Sequence, residues 1–114
     1  MDDERARALL EEERRRVEHL IGDVGRNADA DRAADRQTGD IADPAEPLTQ
    51  EGLDDAVLVE LRARIDALDR AEKRLEEGSY GRSIRSGLLI PDARLEADPA
   101  AELTVEEAAA REQT

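Results

Sequence analysis

Gln37-Thr38-Gly39-Asp40-Ile41-Ala42-Asp43-Pro44-Ala45-Glu46-Pro47 is the stretch on which the fold turns. Pro44 and Pro47 lack a backbone N–H and crowd the preceding turn, so no continuous helix can cross it, while Gly39, Asp40 and Asp43 supply turn chemistry. On either side the chain is rich in strong helix formers. Over roughly residues 3–36, Leu10, Val17 and Val24 recur at intervals of seven with Leu20 and Ile21 between them. Helix resumes near Leu48 or Thr49, and Leu58, Leu61, Ile65, Leu68 and Leu75 keep spacings of three, four or seven until Gly78 closes the element. Two narrow stripes joined by a short loop predict a mainly α fold: a long antiparallel helical hairpin, a coiled-coil arm over residues 1–78 with its tip loop at about 37–47. Two arms of about 30 residues would each be about 45 Å long at 1.5 Å per residue. Gly22 and Gly25 each cost about 1 kcal/mol relative to Ala, which predicts a fray or bend near Asn27.

The composition agrees with an elongated helical chain. Of 114 residues, 41% are charged, the mean hydropathy is -0.74 and Tyr80 is the one aromatic, so apolar side chains must be shared along helices rather than gathered round large rings. Runs such as Glu11-Glu12-Glu13-Arg14-Arg15-Arg16 and Arg70-Ala71-Glu72-Lys73-Arg74 read as solvated helix faces. A formal net charge of -13 repels phosphate backbones, which argues against direct DNA binding and favours a basic protein partner. With no cysteine there is no disulfide frame or thiolate site, and His19 alone builds neither a metal nor a catalytic centre. There is no nucleophile–base pair and no Gly-rich phosphate loop, so enzymatic activity and a cofactor are not expected. The apolar runs are too short for a membrane span, and the acidic Met1-Asp2-Asp3-Glu4 start argues against a signal peptide, leaving the cytoplasm as the expected location.

Beyond Gly78 the pattern changes. Residues 79–114 predict a small second region: Tyr80-Gly81, Ser86-Gly87 and Ile90-Pro91 are loop and turn chemistry, followed by a short C-terminal helix over about residues 104–111. Thr104 and Glu107 have the spacing of a capping box.

The stretch Gly78-Ser79-Tyr80-Gly81-Arg82-Ser83-Ile84-Arg85-Ser86-Gly87, with Ile90-Pro91-Asp92-Ala93-Arg94-Leu95-Glu96-Ala97-Asp98-Pro99-Ala100-Ala101-Glu102-Leu103, resembles the zinc-finger region of DksA/TraR proteins. That family reads G-x-Y-G-x-C-x-x-C-G and then I-P-x-x-R-L-E-A-x-P-x-A-x-L-C-x-x-C. Its four cysteine positions fall here on Ser83, Ser86, Thr104 and Glu107, with the spacing of each pair retained. Family arms also carry D-x-x-D-x-A at the tip, matched by Asp40-Ile41-Ala42-Asp43-Pro44-Ala45 at the correct distance from the finger. The resemblance covers roughly residues 40–107, and the first helix matches only in kind.

The resemblance implies a zinc-less finger. Two serines, a threonine and one carboxylate make a poor tetrahedral site, so no zinc is expected. Leu88, Leu89, Ile90, Leu95, Leu103 and Val105 would instead pack with Tyr80, helped by hydroxyl-to-backbone bonds from Ser83 and Ser86. Family members insert the arm into the secondary channel of bacterial RNA polymerase and bias initiation, which implies polymerase core or holoenzyme as partner of a monomeric regulator. Asp40 and Asp43 would act at the tip, with small Ala45 allowing close approach. The same aspartates also suit turn formation or capping beside prolines. Family positions that help bind the stringent-response alarmone ppGpp fall on Glu60, Ala67 and Ala108, which would not hold a tetraphosphate, so action without a shared ppGpp site is expected. Two other readings stay open: a transcript-cleavage factor whose tip carboxylates recruit magnesium, and a structural coiled coil with no polymerase role.

Overall fold

A computed structural model describes residues 1–38 and 50–112. The tip residues Asp40, Asp43 and Ala45 lie outside the described residues, as does most of the expected 37–47 loop. Four helices follow in order: α1 (Asp3–Thr38), α2 (Gln50–Glu77), α3 (Asp92–Ala97) and α4 (Val105–Glu112). Among the described residues the extended structure is one isolated antiparallel bridge between Arg82 and Leu89.

The chain divides into two compact units. One combines residues 1–15 with 65–114, and the other is 16–64. In the first, Ala6 and Leu10 of α1 and Leu68, Ala71 and Leu75 of α2 are buried. Leu10 shares a hollow with Leu75, while Arg14, one turn later in α1, reaches back to Asp69 and Glu72 of α2. Rising numbers on one helix thus meet falling numbers on the other, which makes the pair antiparallel. The bonds of Arg14 place one member of the Arg-rich run across the pair rather than in open solvent, and the Asp69 bond foremost raises the guanidinium pKa. Ala6 and Ala71 allow close approach of the helices at a point where the apolar periodicity, read from larger side chains, gave no signal.

In the second unit the α1 stripe continues as buried Val17 and half-buried Leu20, Ile21 and Val24, and the α2 stripe as half-buried Leu58 and Leu61. α1 runs unbroken through Gly22 and Gly25 to Thr38, beyond the expected end. His19 is exposed, with its ring 3.4 Å from Asp23 one turn on.

At the end of α2, Gly78 takes φ +83, the left-handed region where a side chain would be strained. That turn lets the Ser79 and Tyr80 N–H groups donate to the Arg74 carbonyl, at 2.9 and 3.2 Å, and sends the chain into the finger. The finger holds a helix, α3, where the turn residues around Ile90-Pro91 predict loop. α3 is only six residues long and is enclosed by Pro91 and Pro99, so its periodic signal is a single side chain, buried Leu95.

Candidate functional site

The four residues at the cysteine positions come together, and hydrogen bonds join them. Residues 81–90 double back as a knuckle: the Ser83 N–H donates to the Leu88 carbonyl at 2.8 Å, the Gly87 N–H to the Ser83 carbonyl at 2.9 Å and the Ile90 N–H to the Gly81 carbonyl at 2.8 Å. Within it the Ser83 hydroxyl oxygen accepts from the Arg85 and Ser86 N–H groups, at 3.1 and 3.2 Å, and the Ser86 hydroxyl accepts from Leu88 N–H at 3.2 Å. These are the hydroxyl-to-backbone bonds expected of a serine-stabilised turn.

The second pair of positions caps α4. The Thr104 N–H donates to Glu107 Oε1 at 3.1 Å and the Glu107 N–H donates to Thr104 Oγ1 at 3.2 Å, a reciprocal capping box that satisfies two donors at the helix start. The Ser83 hydroxyl then donates to Glu107 Oε2 at 3.0 Å and ties knuckle to helix. Ser83 and Thr104 are buried while Ser86 is exposed. The Thr104 N–H, followed by the Ser83 hydroxyl and then the Thr104 and Ser86 hydroxyls, holds the Glu107 carboxyl well below its usual range, at about 2.

This donor set does not suit zinc. Three neutral hydroxyls lack the soft anionic character of thiolates, and both oxygens of the single carboxylate are already engaged within the protein. Among the described residues, no three His, Cys, Asp or Glu side chains are grouped to hold a metal ion.

Around this knot the packing departs from expectation. Ile90, Leu95 and Ala101 form the finger's core, with Tyr80 and Met1 packed against it. Leu88, Leu89 and Val105 are instead 62, 68 and 55% exposed, and Leu103 is half-buried. The turn geometry explains the difference. Bonds from Ser83, Ser86 and Thr104 fix the backbone by themselves, so these neighbouring side chains need not face inward. Tyr80 packs as expected, its hydroxyl donating to the Pro99 carbonyl at 2.8 Å, and burial pushes its pKa up to about 12 against a smaller opposing effect of Arg74. The Arg94 Nε donates to the Leu103 carbonyl at 2.8 Å, the Ile84 N–H donates to the Glu102 carbonyl at 2.9 Å, and Arg70 pairs with Glu102 at 2.8 Å. These links hold the finger's strands of chain to one another and to α2; Arg70 and Glu102 gave no sequence signal beyond that of ordinary surface charge, whereas Arg94 stands at the arginine of the I-P-x-x-R-L-E-A stretch.

Glu60 is exposed, and Ala67 and Ala108 are partly buried. No helix of the described residues is long and apolar enough to cross a membrane.

No family model matches the chain. It is 35% identical over 98 residues to the RNA polymerase-binding transcription factor DksA of Caulobacter vibrioides, in strains NA1000 and ATCC 19089 alike. That match takes in 86% of this chain and 61% of theirs, so the chain spans under two thirds of the length of these relatives. Among solved structures it is similar to the transcription factor DksA2 from Pseudomonas aeruginosa, with a TM-score of 0.65 and 24% identity over 97% of this chain and 83% of that one. By sequence over most of its length the chain is similar to DksA of Caulobacter vibrioides, and over nearly all of it the chain has the fold of DksA2 from Pseudomonas aeruginosa.

Proposed function

We propose that this chain binds RNA polymerase and modulates initiation without catalysing a reaction, its helical arm carrying Asp40, Asp43 and Ala45 into the secondary channel. The observation that carries this reading is the hydrogen-bonded set Ser83, Ser86, Thr104 and Glu107: the finger keeps the DksA fold although its donor set does not suit zinc. Relatives that match most of the chain are named as polymerase-binding transcription factors, which supports polymerase, and therefore the cytoplasm, as the place of action.

Paired carboxylates at a tip suit a centre rich in magnesium and basic nucleotide-handling groups, where they accept hydrogen bonds or perturb metal coordination. No shared ppGpp site is proposed, because exposed Glu60 repels a tetraphosphate and Ala67 and Ala108 offer it no donor. The guanidinium next along α2 from Ala67, Arg70, is already bound to Glu102.

The test is binding of purified core polymerase to the wild-type chain and to Asp40→Asn/Asp43→Asn, with initiation assayed in parallel. The expected result is that both bind and only the wild type alters initiation. Failure of the wild type to bind overturns the proposal, and an unchanged effect of the double variant removes the tip from it.

A further inference from the structure

The finger has an apolar core of its own, to which α2 contributes no side chain: Ile90, Leu95 and Ala101 form it, with Tyr80 and Met1 packed against it. Apolar burial is non-directional, so the angle at which α2 meets the finger has to come from bonds that have a direction.

Ion pairs reach the finger from both sides of the helical pair. On the α1 side, Arg5 stands 3.7 Å from Glu96 and the Met1 amino group 3.0 Å from Asp92, and both carboxylates are more than half exposed. Contacts of that kind contribute little. On the α2 side, Arg70 Nε donates to Glu102 Oε1 at 2.9 Å, and Arg70 Nη2 lies 2.8 Å from the same oxygen. The Glu102 side chain is only 20% exposed. Two donors of one planar fork on a shielded carboxylate fix orientation as well as distance.

Glu102 is itself well anchored. Its backbone carbonyl takes the Ile84 N–H of the knuckle, and the next carbonyl, of Leu103, takes Arg94 Nε from α3. A pull on Glu102 is therefore a pull on the whole finger. An open cleft of about 220 Å³ flanks the pair, bordered also by Arg94, Asp98 and Arg111, so there is space for the two elements to move when the pair parts.

We infer that Arg70 and Glu102 are positioning residues, a latch that fixes the direction in which α2 leaves the finger. The consequence for transcription rests on the polymerase reading above. α2 is one unbroken helix from Gln50 to Glu77, so an angle set at Arg70 is carried along roughly 30 Å of helix toward the segment that holds Asp40 and Asp43. Opening the latch costs some affinity, because a looser joint must be ordered on binding, and costs more of the effect on initiation, which depends on where the tip is placed.

The test uses the full chain and purified core polymerase. Because the chain has no cysteine, Lys73→Cys on α2 and Leu88→Cys on the finger, both at exposed positions, take spin labels without background. Glu102→Gln and Arg70→Gln are each expected to broaden the distance between the labels. Each is also expected to cut the effect on initiation at saturating protein by at least about fivefold while polymerase affinity stays within about threefold, and the double variant to do no more than either single one. Melts followed by circular dichroism should match the wild type, since the Arg70 side chain is more than half exposed. An unchanged distance distribution in both single variants overturns the latch, whatever polymerase does. A broadened distribution with the full effect on initiation overturns its role in positioning, and losses that add in the double variant overturn the pairing. A wild type that does not bind polymerase overturns the polymerase reading, and the label distances then still decide the latch.

Discussion

The hydroxyl of Ser83 donates to Glu107 Oε2 at 3.0 Å across 24 positions of sequence, and through it one carboxylate joins a turn to the start of a helix. The same carboxylate caps its own helix through Thr104. Glu107→Ala removes the cap and the tie together and should destabilise the finger, through loss of the cap and of a charge-assisted bond. Urea unfolding read against Leu68→Ala in the helical pair would separate a finger effect from a general one.

The pH dependence of that tie has a fixed sign. Glu107 is held at about 2 in the folded chain, below its ordinary value near 4.5, so its stabilisation is fully present above that ordinary value and is lost as pH falls through about 2. Melting temperatures taken between about pH 5 and pH 2 should fall more in the wild type than in Glu107→Gln, which cannot titrate.

Tyr80 offers a clean optical signal because no other aromatic is present. Its phenol should titrate with a midpoint at about 12 in absorbance near the phenolate band, moving toward 10 on unfolding. The stabilisation tied to the neutral phenol is complete below pH 10 and is lost as pH rises through about 12. Tyr80→Phe removes the bond to Pro99 and should cost about 0.5–1.5 kcal/mol.

Restoring thiolates tests whether the frame is still that of a zinc finger. Ser83→Cys/Ser86→Cys/Thr104→Cys/Glu107→Cys is expected to bind one zinc ion and to melt higher with zinc than with a chelator, while the wild type melts alike in both. A quadruple variant that takes up no zinc would show that the knuckle and the start of α4 have drifted too far from ligand geometry.

Burial separates leucines that the sequence treats alike. Leu10 and Leu68 are 1 and 0% exposed, so truncation of either to Ala should cost about 2–5 kcal/mol. Leu88→Ala, at an exposed position, should stay within about 0.5 kcal/mol of the wild type, and equilibrium unfolding of the three variants checks the contrast.

What could be read in advance followed the reach of each signal. The helical pair was legible because Leu10, Val17, Leu68 and Leu75 repeat over many turns, and a long period outweighs local irregularities such as Gly22. The cap was legible because Thr104 and Glu107 are three residues apart. α3 was not, since six residues between two prolines hold less than two turns of pattern. Nor was the inward or outward choice among Ile90, Leu88 and Leu89, which depends on how the Ser83 turn orients the backbone rather than on hydrophobicity. The Ser83–Glu107 bond joins positions whose family counterparts were recognisable, but the bond itself arises only in three dimensions.

The Glu107 capping box has a further consequence for how the finger comes into being. A metal-loaded finger matures in two stages, synthesis and then capture of an ion from a fluctuating pool, so part of its population waits unfinished whenever that pool is low. A finger closed by Ser83, Thr104 and Glu107 carries its closing groups in the chain, and it is complete as soon as it has folded. Closure of such a finger then needs folding alone and no encounter with an ion.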